Sequence, residues 1–357
     1  MKTLILAGAG HGHIQILSKL QNMKLENLKV LVITNFDRQF YSGMLPGYIN
    51  ESFTIEDVSF KVKDYCKNEN IELIFDKIIE IDSRENKVRT LKDEYHFDYL
   101  CMNLGSASIE HFGPPTKDLH YVKPIYGFKE LKDIGDGIKD LMIVGGGASG
   151  IEIALAYRSK YNNLNITLVD KNKELLLKFN KRSRKIASKL LEKRKIKTVL
   201  NTKITNIKEN TAHFEGGKIH FDKALVSTGV TGVNVKYSGL EVDENNFVKV
   251  DGKLFASENI LAMGDMVCLK DFPHTPKAGV FAIRMTPILV NNVFSLIEGK
   301  NDYKTYIPQE TYLQIINTSD NKAIMSYGPF AMHNRFALKF KNKIDTNYMK
   351  GEVLKFV

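Results

Sequence analysis

A chain of 357 residues, 43% hydrophobic and 26% charged, is long enough for two or three domains with proper cores and has the composition of an ordinary globular protein. Its net charge of +10 comes without a basic cluster interleaved with aromatics, which argues against nucleic-acid binding. The three cysteines, Cys66, Cys101 and Cys268, form no close-spaced pair, which argues against a zinc site and a disulfide framework and fits a reducing, cytoplasmic compartment; no metal site is expected.

In chain order, Met1–Ala7 is too short for a signal sequence and runs straight into glycines, so it reads as a first strand. Gly8-Ala9-Gly10-His11-Gly12-His13 follows. Such a turn lets backbone approach a pyrophosphate, with the next helix aiming its N-terminal amides at the phosphates. His13 stands where a third glycine is expected, and Gly12 is the neighbour able to relieve the same crowding. Residues 14–25 have helical period, and Leu28–Ile33 is the next parallel strand, closing a βαβ unit. It ends in Thr34-Asn35 rather than an acid, so one of these, or water, must meet a ribose.

A helix is expected over 57–68, then β-like runs at 71–75, 78–82, 87–91 and 95–102. Pro114-Pro115 breaks the pattern. A second unit starts at 140–144 and carries Gly145-x-Gly147-x-x-Gly150, a full dinucleotide match, with a helix over 149–160 and a strand over 165–169. Asp170 closes that strand, about twenty residues on, where a carboxylate accepts from a ribose 2′-OH. It would repel a 2′-phosphate, favouring NADH over NADPH, although Lys171 and Lys173 offset part of that. Glu152 is either a solvated first-turn acid or a group reaching the nicotinamide and the ring beside it. A lysine-rich helix (181–193), short strands to 226, an apolar helix (280–297) and a strand-rich C-terminal part follow. No stretch approaches about 18 uninterrupted apolar residues, so no membrane-spanning helix is expected.

With two dinucleotide turns, a strand-to-glycine return at Asp98–Ser106, its repeat at Asp222–Gly229, and Asn259–Asp265, the chain resembles the pyridine nucleotide-disulfide oxidoreductase superfamily of flavoproteins. Residues 40–48 and 276–284, with Pro308-Gln309 and Lys343–Asp345, look most similar to NADH dehydrogenase-like members. These include type II NADH:quinone oxidoreductases and the group associated with selenide, water dikinase. The resemblance implies an α/β fold with two Rossmann-like domains, a discontinuous FAD domain (1–112 and 229–300), an inserted NAD domain (113–228) and a small α+β C-terminal region (301–357). It assigns Gly8, Gly10, Gly12, His13, Thr34, Arg38, Pro46, Gly105, Gly264, Asp265, Lys277, Ala278 and Gly279 to FAD. It assigns Gly145, Gly147, Gly150, Glu152, Asp170 and Gly229 to NAD. Asp265 would hold the ribityl chain, and a helix starting at Ala278-Gly279 would face the flavin N1/C2 edge.

Disulfide reductases of the superfamily carry a cysteine pair beside the flavin, but residues 37–48 contain none. Electrons would then leave directly from the flavin, and no catalytic side chain is required. Cys101 reads as a buried hydrophobe, and Cys268 is the thiol worth probing. The implied activity is hydride transfer from NADH to FAD and onward to a small acceptor such as a quinone. A reductase of selenium or sulfur metabolism and an NADH-responsive sensor protein are the alternatives. Phe336, Phe340, Ile344 and Tyr348 share one face of a C-terminal helix, either a peripheral membrane anchor on the inner leaflet or a face packed on the protein's own core; a homodimer is also left open.

Overall fold

The computed structural model describes residues 1–124 and 127–350. The chain starts with β1 (Lys2–Ala7), α1 (His11–Leu20) and β2 (Leu28–Thr34), then the short α2 (Leu45–Ile49), β3 (Ile71–Phe75) and β4 (Tyr99–Met102). It departs through β5 (Leu119–Tyr121), β6 (Asp140–Val144), α3 (Ala148–Lys160) and β7 (Asn165–Val169). This excursion ends with α4 (Lys181–Lys193), β8 (Lys197–Val199) and β9 (Lys223–Val226). The return is β10 (Phe255–Ser257), β11 (Ile260–Ala262) and α5 (Gly279–Ile297). A meander, β12 (Gln314–Asn317), β13 (Ala323–Tyr327) and β14 (Phe330–Asn334), leads into α6 (Arg335–Met349).

Two main sheets result. One has the order β10-β11-β4-β1-β2-β3, with β1 parallel to β2 (Leu4 opposite Val30) and to β4 (Leu4 opposite Tyr99). The other, β5-β9-β6-β7-β8, is parallel throughout. In each, the unit's third, second, first and fourth strands lie side by side. The order therefore reverses beside β1 and beside β6, and the glycine turns leave from those switch points. Leu4–Ala7 and Leu141–Val144 are at most 7% exposed, as uninterrupted apolar strands must be when both sheet faces are covered. α5 packs on α1. Among the described residues it is the one helix long and apolar enough to cross a membrane, yet half of it is buried inside the protein.

Two expectations change. Residues 57–68 are not a helix: Ser59–Lys61 pairs antiparallel with Arg38–Phe40 and leads into a single 3₁₀ turn, Val62–Tyr65. Here the Tyr41 N–H donates to Val58 O (2.9 Å) and Arg38 Nη1 to Ser59 Oγ (2.8 Å), so a tertiary partner outweighs local periodicity. The four apolar residues expected on one face of the C-terminal helix are also split between environments. α6 turns Ala337, Lys341, Asp345 and Tyr348 inward and leaves Phe336 at 64% exposure. Residues 351–357, the end of the expected C-terminal region, lie outside the described residues.

Candidate functional site

At the first turn β1 hands over to Gly8 with φ +85°, and at the second β6 hands over to Gly145 with φ +118°. Both conformations are costly for any residue with a Cβ. In each case a glycine, Gly10 or Gly147, is the N-cap and offers no side chain to the first amides of α1 or α3. α5 likewise begins at Ala278 without a side-chain cap. By contrast, α4 and α6 are capped by Asn180 and Asn334, whose amide oxygens accept from Ser183 and Ala337 N–H (2.9 Å each). The N-termini of α1 and α3 at the switch points and of α5 at the cavity thus carry no side-chain cap, which suits phosphates and an anionic ring edge.

His13 departs from its expected role. It is 0% exposed, with Nδ1 2.6 Å from Gly8 O and Nε2 3.3 Å from Cys101 Sγ. Gly8 O can only accept, so Nδ1 donates and Nε2 accepts from the Cys101 S–H. Burial pushes the imidazole down to about 4, keeping it neutral. His13 ties the turn to β4 and presents no surface to a cofactor. His11, the first residue of α1, stacks on Tyr348 (ring centroids 5.0 Å apart), so the last turn of α6 closes against the first glycine turn. Thr34 is 4% exposed, and Arg38 is engaged with Ser59 at the ribbon described above. Gly105 and Gly264 occupy the turns after β4 and β11.

At the end of β7, Asp170 Oδ2 accepts from Gly146 N–H, while Oδ1 accepts from Asn172 N–H (2.7 Å) and Nδ2 (2.8 Å). The carboxylate is fixed against the second turn. A cavity of about 1380 Å³ joins this turn to the first fold; single small-molecule sites usually span about 300–1,000 Å³. Gly145–Ser149, Asp170 and Gly229 form part of one wall, while Pro46, Asp265 and Pro276–Gly279 form part of the other. Asp265 pairs with Lys123, which also donates to Ser106 Oγ (2.8 Å). Lys277 is half-committed elsewhere, its ammonium donating to Val267 O and lying 4.2 Å from the Phe247 ring centroid.

Where the walls meet, Glu152, Lys341 and Asp345 come together. Glu152 is not a solvated acid. Its Oε1 accepts from Asn317 N–H (2.7 Å), and burial raises its pKa to about 7 against the pull of Lys341 and that amide. Lys341 donates to Asp345 Oδ2 and to Gly43 O, both at 2.8 Å. Burial pulls Lys341 down, but Asp345 and Glu152 together hold it above its ordinary value. Tyr41 OH donates to Asp345 Oδ1 (3.2 Å). Sequence reasoning cited Asp345 only as part of a resemblance, without a role, and missed Lys341. The signal that joins them is the i, i+4 spacing with Ala337 and Tyr348 on a helix face.

The thiols stand apart from this cluster. Cys66, Cys101 and Cys268 are all free, and burial raises each above the usual thiol range. Among the described residues no group of three or more His, Cys, Asp or Glu could hold a metal ion.

Fold and site together define an oxidoreductase architecture with two dinucleotide-binding folds facing one cavity. Residues 2–286 match the model of the pyridine nucleotide-disulphide oxidoreductase family, and the chain belongs to that family. It is therefore an enzyme of pyridine-nucleotide redox chemistry. The NADH oxidase of Methanocaldococcus jannaschii is 28% identical over 318 residues, covering 81% of this chain and 69% of that protein. The type II NADH:quinone oxidoreductase of Staphylococcus aureus is 22% identical over 339 residues, covering 84% of each. Among solved structures, NDH2 from Plasmodium falciparum in complex with NADH superposes with a TM-score of 0.81 at 13% identity, covering 98% of each chain. That last likeness concerns the fold.

Proposed function

We propose that the chain binds FAD in its first fold and NADH in its second, and that it reduces a small acceptor of the quinone type. The single observation that carries this reading is the shared cavity, walled by both glycine-turn folds and holding an acid tuned to about 7. FAD would supply the relay, taking a hydride from NADH and passing two electrons on. The amides of α1 would face its pyrophosphate, with Gly8, Gly10 and Gly12 giving backbone access. Asp265 would hold the ribityl hydroxyls, Pro46 would border the ring, and the free N–H groups of α5 would face the pyrimidine edge.

Gly145, Gly147 and Gly150 would take the NADH pyrophosphate and Asp170 its ribose. Glu152 and Lys341 would hold a proton at the carboxylate and the ammonium facing the cavity, available when an acceptor gains electrons. No dithiol relay is invoked, since all three thiols are free, with their pKa values raised by burial. The names of the relatives, an NADH oxidase and a type II NADH:quinone oxidoreductase, support the electron donor and the acceptor class.

Anaerobic mixing of the flavin-loaded protein with NADH tests the proposal. The oxidised flavin band should bleach nearly stoichiometrically and return on adding a naphthoquinone. A band that persists with NADH rejects the donor; a band that bleaches but returns only with oxygen rejects the quinone.

A further inference from the structure

Polar groups along one flank of α5 are left without partners. The segment from Asp302 to Tyr312 runs back along this helix. Asn291 Nδ2 donates to Asp302 O (2.8 Å), and Asn292 exchanges two 2.8 Å bonds with the Lys304 backbone. Further on, the Arg284 charge acts on the Tyr306 hydroxyl, and Phe281 meets Tyr312 edge-on at 4.9 Å between centroids. Order along the segment thus mirrors order along the helix. Arg284 falls beside Tyr306.

Arg284 lines the cavity, and among the described residues it makes no hydrogen bond or ion pair; its Nε is buried without a partner. The Tyr306 hydroxyl and both polar atoms of the Gln309 amide are buried and unpartnered as well. The nearby acids are committed: Glu152 to the Asn317 amide, and Asp345 to Lys341 and Tyr41. Leaving such a buried group unpaired costs its desolvation with nothing in return, and native structures rarely tolerate it without an ion, a water or a ligand.

We propose that Arg284, with the Tyr306 hydroxyl beside it, is the subsite for an anionic oxygen of the electron acceptor, an ionised hydroxyl or carboxylate on a planar ring. The assignment rests on the reading of the cavity given above. A guanidinium is a planar fork of donors matched to such oxygens, and the Tyr306 hydroxyl can add a donor of its own. Arg284 stands five residues beyond Gly279, roughly 7.5 Å along the helix axis at about 1.5 Å per residue. It is therefore set back from the amides that would face the flavin.

The test measures equilibrium binding to the oxidised, FAD-loaded protein, without NADH. The probes are 2-hydroxy-1,4-naphthoquinone, ionised at neutral pH, and its neutral 2-methyl counterpart. The wild type should bind the anionic probe at least about ten-fold more tightly. Arg284→Gln should bring the two affinities to within about two-fold, and Arg284→Lys, which keeps the charge but not the fork, should fall between. Equal affinities in the wild type, or a preference that survives in Arg284→Gln, overturn the proposal. So does loss of bound flavin in both variants, which would assign the guanidinium to the cofactor. Because no turnover is needed, an NADH-bleaching failure would reject the donor reading and leave this result standing on its own.

Discussion

At Glu152, burial and neighbouring dipoles compete, and burial wins by enough to matter for stability. The carboxyl titrates at about 7 in the folded chain, against an ordinary 4.5. The folded state therefore holds an extra proton between those values, and the stability this brings is complete below pH 4.5. It is lost as pH rises through 7, with an upper bound of about 3 kcal/mol from a shift of that size. Glu152→Gln keeps an oxygen for the Asn317 amide but removes the titration. Urea melts of the FAD-saturated protein should show the variant near wild type at pH 5 and more stable at pH 8.5. A wild-type-to-variant difference that stays flat with pH would show that Glu152 titrates where an exposed glutamate does.

At the level of elements, α6 is docked by charge as well as by apolar contact. Its Lys341–Asp345 pair is buried against Gly43 and Tyr41. Removing one member of such a pair strands the other, at a cost of about 3–5 kcal/mol, whereas replacing both can be close to neutral. Lys341→Met should thus lower the unfolding free energy by that amount, and Lys341→Met/Asp345→Leu should recover most of it. Denaturant melts of the singles and the double give the coupling directly; additive losses would mean the pair does not act as a unit.

This helix also marks the limit of what the sequence discloses. The two glycine turns were legible because the backbone demands them: Gly8 and Gly145 adopt φ values that a Cβ would penalise. The place of Asp170 just after its strand was legible from spacing alone. The inward face of α6 was not, since hydropathy reads lysine and aspartate as solvent-facing, and only a partner on a distant segment makes their burial tolerable. The 59–61 strand was missed for a related reason, its partner being the Arg38–Phe40 strand. His13 was misassigned because a motif position shows which residue stands beside the turn, not which way it faces.

For the whole molecule, the net charge of +10 attracts any polyanionic dinucleotide and by itself favours NADPH, the more negative one. Lys171, Lys178 and Lys203 around the second fold's side of the cavity act in the same sense. Discrimination must then be local. Asp170, held by Gly146 and Asn172, would meet a 2′-phosphate at contact range, where salt screens little, while the lysine field acts over longer distances. The Debye length falls from about 10 Å at 0.1 M salt to about 3 Å at 1 M. Preference for NADH over NADPH in kcat/KM should therefore rise with ionic strength in the wild type. In Asp170→Asn, which keeps an acceptor for the Gly146 amide but loses the charge, the preference should drop by about ten-fold or more, the worth of a hydrogen bond to a charged group. Steady-state rates with both nucleotides, across a salt series, decide it. A variant that keeps the wild-type preference would move discrimination away from Asp170 and onto the lysines that border it.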